Sequence, residues 1–454
     1  MAGIPQASAR HARRSAAVLG GGIAGCTLAA ELAKSGRVDV TLLERAPALG
    51  GLHRSEQVGP YVFDIGAFVF VDNHAIFSVF PALRDAFPEV PNRYGSVRTG
   101  GVLDDYPMTI GGVRRQLGNL ALARIAAEIL AAKITRFRRD SVPSFAEYYI
   151  GPTLYRFSGL KTYIERLYLA PDSTIDLEFA TKRMAVVARS GGLRRNAMRL
   201  ARGLASGRWA REAFRPITAP RVRVRPAAGF PVAYRAIGAS LGELGVAVRC
   251  GTTLTAIERD ADGFTLVTDK GRERFDQVFS TIPLEVAARL LGMEGFELPE
   301  YVDLYSLFFE LAGEPAFPHN VLHNFTDTGR WKRLTVFSRY YGPLDGKHYL
   351  AVEGTARQHA SEETTLRDGT ADFEDWMRRH GLLPGELRYL GGVVTRRAYP
   401  VYRRSAARGV EQLKDDLRRR GLLLAGRQGS FDYVTSSDAA GDALAVARAF
   451  LAAP

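Results

Sequence analysis

Cysteine is scarce in this chain. It has two, Cys26 and Cys250, among 454 residues. That excludes a disulfide scaffold and a cysteine-rich zinc site, and it fits a reducing compartment. The eight histidines are scattered, with no HExxH-like spacing, so no metal centre is expected. Acid is short relative to base: 48 Asp and Glu face 61 Lys and Arg, for a net charge of +13. The excess favours anionic partners, yet no nucleic-acid motif accompanies it, so nucleic acid is not an expected partner. No apolar run reaches the about 18 residues that a transmembrane helix needs. Repeats and low-complexity segments are absent too. What remains is ordinary globular composition, 46% hydrophobic and 24% charged, at a length that suggests two or three domains.

The positive charge is largely local. Between Arg189 and Arg225 stand eleven arginines against one acid, Glu212. A solvated surface, an anion-binding face for a diphosphate substrate, and a patch that meets anionic lipid all fit this run. At the N-terminus, Arg10, Arg13 and Arg14 precede an apolar stretch and mimic a signal sequence. Gly20 to Gly22, Glu31 and Lys34 interrupt that stretch. Residues 1–14 therefore read as a disordered basic tail, and the expected location is cytoplasmic, with a peripheral membrane contact admitted by the charge. A homodimer is compatible with all of this.

The chain is organised around Ala16 to Glu44. Ala16 to Leu19 predicts a buried strand, Ile23 to Lys34 a helix, and Val38 to Leu43 a second strand. Gly20, Gly22 and Gly25 form GxGxxG at the first junction, and Glu44 follows 19 residues after Gly25. This is the dinucleotide fingerprint in its strand-turn-helix context. Gly20 permits the tight turn, Gly22 admits a pyrophosphate, and Gly25 allows close helix packing. Ile23 and Ala24 open the helix, where unpaired amides face an anion. Glu44 can accept hydrogen bonds from a ribose diol.

After the ribose acid comes RAPALGGLHR, from Arg45 to Arg54, with Gly50, Gly51 and Leu52 at its centre. This stretch resembles the second fingerprint of the FAD-binding amine oxidase clan, which holds amine oxidases, protoporphyrinogen oxidases, carotenoid desaturases and UDP-galactopyranose mutases. The resemblance implies FAD as cofactor, with Arg45, Gly50, Gly51, Leu52 and Gly66 lining it. Near the C-terminus, the apolar run Leu422 to Ala425 leads into Gly426-Arg427-Gln428-Gly429 and a helix carrying Asp438. Amides at such a helix start can face a flavin, and an arginine there can stabilise negative charge on it.

GRQGSFDYVTSSDAA, which includes Arg427, Tyr433 and Asp438, is similar to the UDP-galactopyranose mutase ending GRxGxYxYxxMDxxI. Ala398-Tyr399-Pro400-Val401 is similar to that family's YYPI. Gly151 to Arg183 follows the mutase pattern in order and spacing, and Lys332-Arg333-Leu334-Thr335 resembles its Thr-Arg-Ile-Thr. The resemblance implies that Arg183 and Arg333 clamp a substrate diphosphate while Tyr399 donates a hydrogen bond. It also implies redox-neutral chemistry at a reduced flavin. Two departures stand against it. Gly66-Ala67-Phe68 replaces the family's Gly-Pro-His beside the flavin, and Ile164 to Leu169 lacks its tryptophan. The alternatives are an oxidase-like or desaturase-like enzyme taking hydride onto the flavin, and a non-enzymatic flavoprotein.

The expected fold is α/β. A Rossmann-like FAD-binding domain is assembled from residues 15–95, 225–292 and 390–454. A helical insertion covers 96–224, and an antiparallel-sheet substrate domain covers 293–389.

Overall fold

The structure is a computed structural model that describes residues 13–66, 68–108, 110–135, 140–183, 221–357 and 360–453. Arg14–Leu19 forms the central strand of a five-stranded parallel sheet. Its residues Ala16, Ala17 and Val18 are wholly buried. Burial on both faces is what a continuous apolar run dictates in a parallel sheet. Val38–Leu43 pairs on one side, with Ala16 opposite Val40, and Gln277–Ser280 on the other, with Ala16 opposite Gln277. Ala247–Arg249 and Leu423–Leu424 close the two edges. One sheet thus draws strands from three separated stretches of chain.

Helix Ile23–Lys34 crosses between the first two strands. The closing helix Ser436–Ala452 packs in the same core through Ala443, Leu444 and Ala447. Small residues there let helices approach closely.

The second large element is a seven-stranded sheet. Its order is Glu386–Pro400, Tyr301–Ala312, His348–Thr355, Trp331–Val336, Val321–Phe325, Tyr94–Arg98 and Val102–Asp105. Neighbours are antiparallel except Val321–Phe325 and Tyr94–Arg98, which run parallel. One face packs Leu307, Phe309, Leu334, Val336, Leu350 and Val352 against Phe373 and Trp376 of helix Glu362–His380.

The sheet is larger than the sequence indicated. It takes in residues 94–105, which composition assigned in large part to the helical insertion, and it extends beyond 389 to Pro400. Strand Trp331–Val336 is followed at once by a short helix, Ser338–Tyr341.

The helical part contains Ile110–Thr135, Val142–Phe157, Leu160–Tyr168 and Leu177–Arg183. The helices break at Gly151, with φ +76°, and at Gly159, with φ +72°. Gly159 is required there, because a Cβ would stand 2.1 Å from the Phe325 carbonyl oxygen. Arg166 fastens these helices to the sheet, donating to the carbonyls of Asn324 at 2.7 Å and Thr326 at 2.6 Å. The basic run from 189 to 220 and the tail through residue 12 lie outside the described residues.

Candidate functional site

Two groups of side chains meet where the parallel sheet, the large sheet and the helices converge. The first is a glycine-lined cradle. Gly25 must lack a side chain, since its Cβ would stand 1.8 Å from the Gly20 carbonyl oxygen. Gly20 adopts φ +103°. Gly22 differs: a Cβ there meets only the Gly51 Cα, at 3.7 Å. Gly22 and Gly51 pass close to each other, since a Cβ on Gly51 would stand 2.9 Å from the Gly22 Cα, while the space a Gly22 side chain would enter is otherwise open. Gly22 caps the helix without any side-chain hydrogen bond, and no acid stands in the first turn. The amides of Ile23, Ala24 and Gly25 there suit an anion.

Glu44 faces this turn. Its Oε2 accepts the Gly21 N–H at 2.6 Å and its Oε1 the Ala46 N–H at 2.7 Å. Each oxygen keeps a lone pair for a ribose hydroxyl. Arg45 is exposed, Leu52 half-buried and Gly66 buried. The Ile65 carbonyl beside Gly66 is held by the Ser306 hydroxyl at 2.9 Å. The open space beside Gly22, the uncapped helix start and the acid all fit a dinucleotide such as FAD.

At the other end of the cradle, Gly426 adopts φ +76° and donates its N–H to Asp442 Oδ2 at 2.7 Å. Asp438 forms a capping box with Thr435 at the start of the closing helix. It supports the cradle by fixing that helix. Arg427 donates Nε and Nη2 to the Val434 carbonyl at 3.1 and 2.6 Å, and its guanidinium lies 5.2 Å from the Tyr399 ring centroid. Tyr433 packs on the same ring, with centroids 4.3 Å apart.

The second group is a polar row across the large sheet. Ser96, His323, Arg333, Glu353 and Ser306 are direct cross-strand partners on five adjacent strands, so they share one face. Arg333 donates Nε at 2.8 Å and Nη2 at 2.7 Å to the two oxygens of Glu353. Lys332, itself buried, places its ammonium 3.4 Å from the same carboxylate and 4.9 Å from the Tyr399 ring centroid. A register irregularity between Trp331 and Arg333 lets both cations reach one acid.

The electrostatics follow from this surplus of cations. Burial pushes the Glu353 carboxyl up, but Arg333 and Lys332 outweigh it and hold the group below its ordinary range. Burial likewise pushes the Tyr399 phenol up, yet Lys332 and Arg333 bring it down to about 8. His323 is driven well below its ordinary value, first by burial and then by the same two cations. It stays neutral, and its buried Nδ1 has no hydrogen-bond partner among the described residues. Around it stand Tyr106, Tyr94 and Tyr163, with ring centroids at 4.7, 6.0 and 6.0 Å.

The structure thus brings together Arg333, Tyr399, Arg427 and Tyr433. Arg183 ends helix Leu177–Arg183, and its side chain lies outside the described residues. Sequence reasoning missed Lys332, His323 and Glu353 as site members. It also missed His53, buried behind the Gly50-Gly51 loop. His53 stacks on Phe230 at 4.8 Å, meets Phe68 edge-on at 5.0 Å and shares a 3.0 Å hydrogen bond with the Tyr234 hydroxyl. Burial, then His74 and Arg427, lowers it to about 3. An imidazole therefore packs on Phe68, the residue that stands where the resemblance expected one.

Residues 18–83 match the family model of NAD(P)-binding Rossmann-like domains, and residues 210–426 that of flavin containing amine oxidoreductases. No curated protein matches the chain. Among solved structures, reduced UDP-galactopyranose mutase superposes with a TM-score of 0.74 at 19% identity, covering 97% of this chain and 94% of that one. A putative protoporphyrinogen oxidase from Exiguobacterium sp. 255-15 gives 0.71 at 18% identity, with 96% and 98% covered. A putrescine oxidase variant gives 0.61 at 11% identity, with 97% and 99% covered.

Proposed function

We propose that the chain, which matches the models of NAD(P)-binding Rossmann-like domains over 18–83 and of flavin containing amine oxidoreductases over 210–426, is an FAD-dependent flavoenzyme of the amine oxidase clan acting on a nucleotide-activated or phosphorylated sugar. FAD, when bound, supplies the reactive centre of either reaction the clan offers here, redox-neutral rearrangement or hydride acceptance. The chain's own residues bind and orient. One observation carries the reading: Lys332, Arg333 and Arg427 converge on Tyr399 with Glu353 as the carboxylate that the two sheet cations share. An apolar substrate gives no reason to bury that surplus. A diphosphate does.

In this reading Glu353 fixes the plane of the Arg333 fork. The Nη1 donors of Arg333 stay available, because Glu353 engages Nε and Nη2. Lys332 adds a point charge beside them. Tyr399 donates its hydroxyl proton in a hydrogen bond to the substrate anion, which it can do below the pH at which it ionises. The tyrosines around His323 and the buried faces of the sheet exclude water, so each of these contacts is stronger than at a surface.

A second reading, hydride transfer from substrate to flavin, draws support from Phe68 in place of the expected imidazole. The two differ in the flavin state they require. On the first reading, turnover of UDP-galactose appears after dithionite reduction and proceeds without net electron transfer. Bleaching of oxidised flavin by substrate alone, in air-free solution, would replace it with the second.

A further inference from the structure

Helix Ile110–Thr135 carries an apolar face that nothing described in the chain covers. Gly118, with φ +80°, breaks the helix, so residues from Asn119 onward form a separate segment. On that segment Leu120 is 86% exposed, Leu130 54% and Ile134 65%. Ala123, Ala127 and Ala131 are exposed between them. At 100° per residue these six positions fall within a stripe about 100° wide. The opposite face is anchored. Ile125 and Ala132 are buried. Glu128 accepts the Thr153 N–H at 2.9 Å and its hydroxyl at 2.6 Å. The Lys133 ammonium sits 3.4 Å from the Tyr148 ring centroid. The stripe is therefore held outward by contacts on the other side.

Its surroundings are basic. Arg114, Arg115 and Arg124 are exposed on the same helix, and Arg136, Arg138 and Arg139 follow in the sequence. From 110 to 139 the one acid is Glu128; it accepts from Thr153 on one side and from the Arg124 Nε, at 3.0 Å, on the other, so the arginines still outnumber it. We propose that this face docks on an anionic lipid surface, with the helix lying in the interfacial plane. Charge decides between lipid and a second copy of the chain. Two copies, each at +13, repel, whereas an anionic surface attracts the exposed Arg114, Arg115 and Arg124. A single helical stripe is also narrow beside the about 800 Å² per partner that a stable dimer buries. Among the described residues no helix is long and apolar enough to cross a membrane, so the contact is peripheral.

The test is vesicle flotation of the FAD-loaded full chain. Vesicles of phosphatidylcholine alone are compared with vesicles that also contain phosphatidylglycerol, at low and high salt. The bound fraction should rise about tenfold or more with phosphatidylglycerol and fall again with salt. The double substitution Leu130→Glu, Ile134→Glu should cut binding about tenfold while flavin absorbance per protein stays unchanged. Leu120→Glu, at the far end of the stripe, should act in the same direction. Binding indifferent to phosphatidylglycerol, or insensitive to these substitutions, would overturn the proposal. So would a dimer in sedimentation that the substitutions dissociate, because the face then belongs to a second copy.

Discussion

Replacing Glu353 by Gln should weaken the fold and strengthen anion binding at once. Glu353 is buried and accepts both N–H groups of the Arg333 fork, with Lys332 at 3.4 Å. Glutamine keeps the shape and one acceptor oxygen but removes the charge. Two buried cations then lose their counter-ion. Breaking a buried pair in this way costs about 3–5 kcal/mol, and the retained acceptor places this case near about 3. The same change raises the positive charge facing a bound anion by one. At about 8 Å and an effective dielectric of about 20, that is worth about 2 kcal/mol of attraction. UDP should therefore bind up to about thirty-fold more tightly.

The measurement pairs urea unfolding, followed by tryptophan fluorescence, with a UDP titration. Both are run below pH 7, where Tyr399 is protonated on either form; Glu353 raises the Tyr399 value, so its loss lets the phenol ionise at lower pH than in the parent. A lower urea midpoint with unchanged or weaker UDP binding would refute the reasoning. Lys332 and Arg333 would then serve only to neutralise Glu353.

Three other outcomes are expected. Gly22→Leu should give folded protein without flavin absorbance, since a Cβ at Gly22 meets only the Gly51 Cα at 3.7 Å while the longer side chain occupies the space in front of the helix start. Gly25→Ala should instead lose stability by about 3 kcal/mol, because its Cβ would stand 1.8 Å from the Gly20 oxygen; soluble, flavin-loaded Gly25→Ala at normal yield would contradict this. Tyr399, brought down to about 8, should ionise about two pH units below a free phenol. Between pH about 8 and about 10 the folded chain has released a proton that the unfolded chain still holds, so this group's stabilisation is present above that window and is lost as pH falls through about 8. Tyrosinate absorbance should grow in near pH 8 and vanish in Tyr399→Phe, and UDP affinity should fall across the same step.

The nucleotide-binding unit was legible because its determinants are local. Gly20, Gly22, Gly25 and Glu44 sit in one strand-turn-helix-strand stretch, and each is set by a steric or hydrogen-bonding demand that sequence spacing encodes. The edges of the large sheet were not. Tyr94–Arg98 is a strand because it pairs with Val321–Phe325, more than two hundred residues later. Glu386–Pro400 contains Gly391 and Gly392, residues disfavoured inside a strand. In the fold Gly391 adopts φ +151° and takes up the register shift between Phe308 and Phe309. His53 gave no signal either, because a lone histidine in a glycine-rich loop looks the same whether it is solvated or stacked on Phe230.

The chemistry of the polar row is less legible still, because it depends on a single extra residue. In a regular strand, side chains alternate, so Trp331 and Arg333 would share a face. Here Trp331, Leu334 and Val336 all lie in the core against Phe373 and Trp376, and no strict alternation can bring 331 to the same side as 334 and 336. The irregularity at Lys332 supplies the missing step: Trp331 pairs with Gly354 and Arg333 with Glu353. It buries the indole on one side and turns the guanidinium to the other. It also leaves Lys332 unpaired in the ladder, free to bring its ammonium to the carboxylate and to Tyr399. Packing of an indole in the core thus sets how many cations face the candidate site. That coupling lives in the register between strands, which no stretch of the sequence read alone contains.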